Sequence, residues 1–242
     1  MTLTLGLLAV AGAAFVAIGE SWWQLLLAPA FAVLFTQVGF LGHDAGHRQI
    51  FDSRRANDVA GLVLANLIVG LSYGWWINKH NRHHANPNTE GRDPDIVVDP
   101  LSFTDGQAAA RGRLGRGFAR VQGYFFFPLL LLEALDLHVS SFRAVLQPGL
   151  KRRPVEAALL LLHTAGYLTA VFAVLTPLQG IVFIAVHQGL FGVYLGSSFA
   201  PNHKGMPILS EDNKLDYLRR QVLTSRNVRG GWLIDTALGG LN

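Results

Sequence analysis

Two clusters of histidine carry the chemistry this sequence can do. His43 and His47 stand four residues apart around Asp44, Ala45 and Gly46, and His80, His83 and His84 fall within five residues, separated by Asn81 and Arg82. Helical residues three and four apart lie on one face about a turn from each other, so the first cluster presents two imidazoles to one side and the second presents three. That is the donor geometry of a metal site. The plain alternatives are solvated side chains at a helix end for the first cluster and, for the second, a basic membrane-surface patch with Lys79 and Arg82. Five imidazoles exceed what one tetrahedral zinc takes, so ligand number favours two metals. Imidazole suits iron, zinc and copper alike and does not choose among them. The chain has no cysteine, which excludes thiolate ligands, disulfides and a cysteine nucleophile.

The elements that must position these histidines are apolar. Half of the residues are hydrophobic and only 15% are charged, a composition that ordinary soluble domains do not show. Thr2 to Ile18 is one continuous apolar run, followed by Gly19, Glu20, Ser21 and Trp22 and a second run from Trp23 to Leu41. A further pair runs from about Val155 to Leu175 and from Leu178 to about Phe199, turning at Thr176 and Pro177. Runs of about 17 to 22 residues match the roughly 20 that cross a bilayer core as helix. The expected fold is an all-α integral-membrane domain over residues 1–242, with four transmembrane helices in two hairpins. A cleaved signal peptide is the competing view of the first run, but the run lacks a basic start and a second span follows at once.

Lysine and arginine orient the bundle, since cytoplasmic segments carry the positive excess. None of the 20 lies between Met1 and Leu41 or between Pro154 and His203. The long middle segment and the region after the fourth span, and with them the histidine clusters, are therefore expected on the cytoplasmic side. This spread of basic residues beside apolar spans also argues against nucleic acid as a partner. Within the middle segment, Asp58 to Ile77 and Tyr124 to Val145 read as interfacial helices, the first ending in Trp75 and Trp76. Asn86 to Arg120 reads as loop with one short helix. His163 and His187, inside the third and fourth spans, read as polar contacts between helices, and His138 beside Asp136 as structural.

With these residues in place, the chain resembles the membrane fatty-acid desaturase family, whose pattern is HxxxH, then HxxHH, then a third box HxxHH or QxxHH. His43 to His47 fits the first box and His80 to His84 the second. The stretch Phe199, Ala200, Pro201, Asn202, His203, Lys204, Gly205, Met206 looks like the segment after the fourth span in the front-end or linoleoyl-CoA desaturase-like branch of bacterial acyl desaturases. The resemblance implies two non-haem irons that activate dioxygen and remove two hydrogens from an unactivated acyl chain. It makes His43, His47, His80, His83, His84 and, by position, His203 the metal ligands, with no catalytic residue beyond the metal centre. It implies a fatty-acyl substrate carried on CoA, a carrier protein or a lipid, and electrons from ferredoxin or from a b-type cytochrome with its reductase. Asp44, Asp93 and Asp95 are the candidates to orient ligating imidazoles, although Asp93 and Asp95 also read as a loop turn around Pro94. Trp75 and Trp76 are candidates to flank the opening for the acyl chain, or simply interface anchors.

The departures from the pattern set further expectations. No histidine follows His203, so a third box is expected beyond Asn242, and these residues alone are expected to hold fewer than two irons and to show no turnover. Where the acyl-CoA branch has a metal-assisting asparagine four residues before the extra histidine, this chain has Phe199, with Asn202 as a possible substitute. A hydroxylase on the same scaffold is the nearest competing reading, and a non-catalytic zinc-binding or partner-binding membrane protein is the competing class. Chain length, head group, double-bond position and oligomeric state are not encoded in these patterns.

Overall fold

The structure, a computed structural model, describes residues 1–241, and among these the regular secondary structure is helical apart from one isolated β-bridge between Thr89 and Leu209. In chain order the helices are α1 (Thr2–Ile18), a 3₁₀ turn (Trp22–Leu26), α2 (Leu27–Gly46), α3 (Arg54–Gly61), a π-helical stretch (Leu62–Val69) and α4 (Tyr73–Ala85). A 3₁₀ turn (Pro94–Ile96), α5 (Asp105–Ala110), α6 (Arg113–Ala119), α7 (Gln122–Leu130) and α8 (Glu133–Leu146) follow. α9 (Arg153–Val174), α10 (Pro177–His203), α11 (Tyr217–Thr224) and α12 (Gly231–Ala237) complete the chain.

Among the described residues, three helices are long and apolar enough to cross a membrane: Trp22–Gly46, Arg153–Val174 and Pro177–His203. Two bent pairs, Arg54–Val69 with Tyr73–Ala85 and Gln122–Leu130 with Glu133–Leu146, raise the number to five if each pair is one span. α1 is apolar but, at 17 residues, short for a crossing. The chain folds into two compact units, Met1–Ile77 with Leu130–Gly196, and Asn78–Leu129 with Ser197 onward.

The first unit is built on aromatic packing between helices. Phe15 of α1, Phe31 of α2 and Phe183 of α10 form a triangle with ring centroids 5.1 to 6.1 Å apart, joined by buried Ala28, Val171 and Leu175. Gln24 fixes the first hairpin by donating from Nε2 to the carbonyls of Phe15 (2.6 Å) and Gly19 (2.9 Å), which caps the C-terminus of α1. Tyr167 on α9 meets His187 on α10, with 2.8 Å between the hydroxyl and Nδ1. After α2, buried Asn57 accepts from the amides of Ile50 and Phe51, both at 3.2 Å, and so holds the loop that follows His47.

Asp58 to Ile77 is not one helix. The chain turns by 111° between the π-helical stretch and α4, passing through Gly70 at φ 86. A break of this kind frees backbone groups, and in an apolar surrounding they need partners from the protein. Side chains from α8 and α9 supply them. His163 Nδ1 donates to the Leu67 carbonyl (3.0 Å) and His138 Nδ1 to the Gly70 carbonyl (2.9 Å), while Ser141 Oγ accepts from the Ser72 amide (2.9 Å). Within the segment, Asn66 Oδ1 accepts from the Tyr73 amide (3.1 Å). The polar residues inside the apolar runs thus have a common task.

The second unit has little apolar core and is laced by side chains instead. Where the sequence suggests one short helix between Asn86 and Arg120 there are two, because Thr104 caps α5 by accepting from the Gln107 amide (3.2 Å) and the extended backbone at Arg111 and Gly112 separates α5 from α6. Gln107 bonds the Phe103 amide and the Ile96 carbonyl, and Gln122 bonds both backbone groups of Ser102.

Gly70 should not tolerate a side chain. A Cβ there would lie 2.4 Å from His163 Cδ2, and its left-handed backbone alone costs an ordinary residue about 1–2 kcal/mol. Gly70→Ala is expected to lower the apparent melting temperature in detergent, whereas Gly12→Ala, in a helix with nothing within 4 Å, should leave it unchanged or raise it. Equal melting temperatures for the two variants would refute this reading of the break.

Candidate metal centre

The last turn of α2 carries His43, which is buried, and His47 is its C-terminal cap, with its amide donating to the His43 carbonyl at 3.0 Å. Their rings lie 4.5 Å apart between centroids, and His43 also packs against Trp76 at 5.4 Å. Asp44 Oδ1 is 3.8 Å from His43 Nδ1, an ion-pair distance too long for a hydrogen bond. Burial, and then the neighbouring His43, hold the His47 imidazole below its ordinary value against an opposing pull from Asp44. Neutral imidazole, the metal-binding form, therefore persists to lower pH at this position.

In the second unit, α4 and the end of α10 supply four imidazoles. His80 and His84 converge, with Nε2 atoms 2.9 Å apart. His83 is buried, and its Nδ1 lies 3.0 and 3.1 Å from the two oxygens of Asp93. Asp93 is 1% exposed and also accepts from the amides of Asn88 (2.7 Å) and Asp95 (2.9 Å). A carboxylate engaged by three donors has no hydrogen to give, so Nδ1 of His83 carries a proton, and in the neutral ring Nε2 keeps a lone pair.

The same reasoning applies to His203. Its Nδ1 lies 3.0 Å from the Thr224 carbonyl, which can only accept, so its Nε2 is again a bare lone pair. These two Nε2 atoms face each other at 3.2 Å. Two lone pairs at that separation repel unless a proton is shared between the rings or a cation binds both. With imidazole–metal bonds of about 2.1 Å, ligands at a right angle have their nitrogens about 3 Å apart, which is the spacing of His83 with His203 and of His80 with His84. The donor set fits a transition metal, with Asp93 and Thr224 setting the tautomers from behind.

His83, Asp93 and Asp95 also approach one another closely enough to share an ion, but two observations argue against it. Their common face is the protonated Nδ1 side of His83, and Lys79 Nζ already sits 2.6 Å from Asp95 Oδ1. Burial raises the Asp95 pKa, but Lys79 and His83 more than offset it, and the net shift is downward. Lys204 adds a 2.8 Å bond to the Asp95 carbonyl and lies 4.0 Å over the Phe103 ring. Asn202 points elsewhere: its Nδ2 donates to the Leu241 carbonyl at 2.6 Å. Trp75 and Trp76 are half-buried near the start of α4.

Two supporting residues were not singled out from the sequence. Asn88, left-handed at φ 49, donates from Nδ2 to the His203 carbonyl (3.0 Å) while its amide serves Asp93, so it ties the His83 loop to the end of α10. Its one sequence signal is that asparagine tolerates this conformation better than other side chains. Thr224 acts through a backbone carbonyl, which leaves no signal.

The sequence model of the fatty acid desaturase family matches residues 20–242, and the chain belongs to that family. It is 32% identical over 222 residues to an acyl-lipid (9-3)-desaturase of Physcomitrium patens, covering 87% of this chain and 42% of the relative. It is 30% identical to an acyl-lipid 8-desaturase of Rebecca salina (83% of this chain, 47% of the relative) and 29% identical to a Delta(8)-fatty-acid desaturase of Euglena gracilis (86% and 52%). The chain thus spans about half the length, or less, of these curated relatives.

Replacing an imidazole-orienting carboxylate typically costs about 10–100-fold in metal affinity. Asp93→Ala is expected to weaken ferrous-iron binding by that factor in a chelator-competition titration. Asp95→Asn should change it far less, because the Asp95 carboxylate is engaged by Lys79. The reverse order would place the ion on the carboxylate side of His83.

Proposed function

We propose that this chain is the membrane part of a fatty-acyl desaturase, introducing a double bond into an acyl chain with dioxygen at a histidine-ligated di-iron centre. The observation that carries the reading is the 3.2 Å approach of the Nε2 atoms of His83 and His203, in a chain of the desaturase family. The similarity to acyl-lipid and Delta(8)-fatty-acid desaturases supports an acyl substrate. The six imidazoles of His43, His47, His80, His83, His84 and His203 are the proposed ligands from this chain. When bound, the two irons supply the oxidising power that removes two hydrogens from unactivated carbon.

The remaining work belongs to the protein's own groups. Asp93 and the Thr224 carbonyl hold the Nδ1 protons of His83 and His203 and so keep both Nε2 atoms available and aimed. Lys79 holds Asp95 away from competing for the ion. Trp75 and Trp76 flank the opening for the acyl chain. Residues 1–242 form one functional domain in this reading, with α1, α2, α9 and α10 as four spans in two hairpins and α3, α4, α7 and α8 at the interface. The one-sided placement of lysine and arginine supports histidines on the cytoplasmic side. These residues carry neither a haem motif nor a nicotinamide fingerprint, so the proposed electron source, a ferredoxin or a b-type cytochrome with its reductase, is either a separate protein or a part of the protein outside this chain.

Expression of the natural reading frame containing this chain, in a host with compatible electron donors, is expected to yield a new double bond in the host's fatty acids by mass spectrometry. His83→Ala and His203→Ala should abolish it. A hydroxylated product, or an unchanged profile from iron-loaded protein receiving electrons, would contradict the proposal.

A further inference from the structure

Glu156 is the most buried acid that the proposed chemistry does not use. It lies in the first turn of α9 at 2% exposure, and among the described residues no ion pair involves it. A buried carboxyl group without a cation is costly unless hydrogen-bond donors replace water. Here one oxygen, Oε2, accepts from Ser72 Oγ at 2.6 Å, from the Gly74 amide at 3.1 Å and from Asn66 Nδ2 at 3.2 Å.

These donors surround the start of α4. Ser72 Oγ accepts from the Trp75 amide at 3.3 Å, and the Ser72 carbonyl accepts from the Trp76 amide at 3.0 Å, so Ser72 caps the helix. The Gly74 amide belongs to the same first turn, and the positive end of the helix dipole favours an acid at this position. Asn66, the third donor, also accepts from the Tyr73 amide at 3.1 Å. Glu156 therefore binds the helix cap, a first-turn amide and the side chain that secures the turn between them. Gly74 permits this approach: a Cβ there would lie 2.3 Å from Glu156 Oε1.

We infer that Glu156 is a positioning residue of the metal centre, a cap supplied from α9 that fixes the direction and rotation of α4, the helix that carries His80, His83 and His84. α4 begins directly after the 111° break, so chain connectivity alone does not set its course. A rotation at its start would carry the imidazoles of all three histidines with it, because they lie on the same continuous helix. This inference rests on the proposal that those histidines bind iron.

The test is ferrous-iron affinity of the folded, monodisperse full chain, by chelator competition, for wild type, Glu156→Ala, Glu156→Gln and Ser72→Ala. Glu156→Ala is expected to weaken iron binding by about 10–100-fold, as loss of an outer positioning group does. Glu156→Gln should recover most of the affinity, since an amide oxygen can accept the same three bonds. Ser72→Ala, which removes one hydroxyl and serves as the test should Glu156→Ala not fold, is expected to cost about fivefold. Phe183→Ala, in the aromatic core, should lower thermal stability and leave iron affinity unchanged, which separates positioning from general destabilisation. Wild-type affinity in both Glu156→Ala and Ser72→Ala would overturn the inference while leaving the iron site intact. A wild-type chain that binds no iron would overturn the metal reading itself.

Discussion

Backbone that leaves a helix in an apolar medium must find its hydrogen bonds within the protein, and this chain does so at one place on which the histidine geometry depends. Between Val69 and Tyr73 the path turns by 111°. The carbonyls of Leu67 and Gly70 and the amides of Ser72, Tyr73 and Gly74 each find a side chain, from His163, His138, Ser141, Asn66 and Glu156 in turn. All five are buried or nearly so. Each is a costly residue in an apolar unit when unpaired, and together they convert a break into a fixed corner. α4 leaves that corner with its first turn already satisfied, and its last turns carry the imidazoles.

A second constraint operates on the imidazoles themselves. Hydrogen-bond partners that can only accept, the Asp93 carboxylate and the Thr224 carbonyl, decide which nitrogen of His83 and His203 holds the proton. Two histidines 120 residues apart in sequence thereby turn their Nε2 atoms toward each other at 3.2 Å, where neutral rings offer lone pairs to one ion. Metal affinity in this account comes from groups behind the ligands as much as from the ligands. Asn88 joins the two supports, because its amide serves Asp93 and its side chain holds the carbonyl of His203.

The histidine clusters and the long apolar helices are legible in the sequence because both are local: a spacing of three or four residues, and a continuous apolar run. Asp93 is legible as a candidate, and it performs both tasks the sequence offers for it, closing the turn at Pro94 and orienting His83. His163 and His187 read as polar contacts between helices and His138 as structural, but what these three contact is not local. Two of them bond backbone carbonyls of the broken helix, a break that periodicity cannot reveal because Leu62 to Val69 reads as one apolar run. Glu156 is not singled out by any sequence pattern, and only the fold brings Ser72 and Gly74 to it. Thr224 contributes a carbonyl that any residue would possess. Local pattern finds the histidines, and tertiary structure supplies the groups that hold them.

Anomalous diffraction at the iron absorption edge from crystals of the iron-loaded protein tests the central claim most directly, because it locates the ion without reference to activity. The account predicts a peak about 2.1 Å from Nε2 of both His83 and His203, with Asp93 outside bonding distance of the ion and on the far side of the His83 ring. A peak bound by the carboxylates of Asp93 and Asp95, or no peak between the two imidazoles in iron-replete protein, would contradict it.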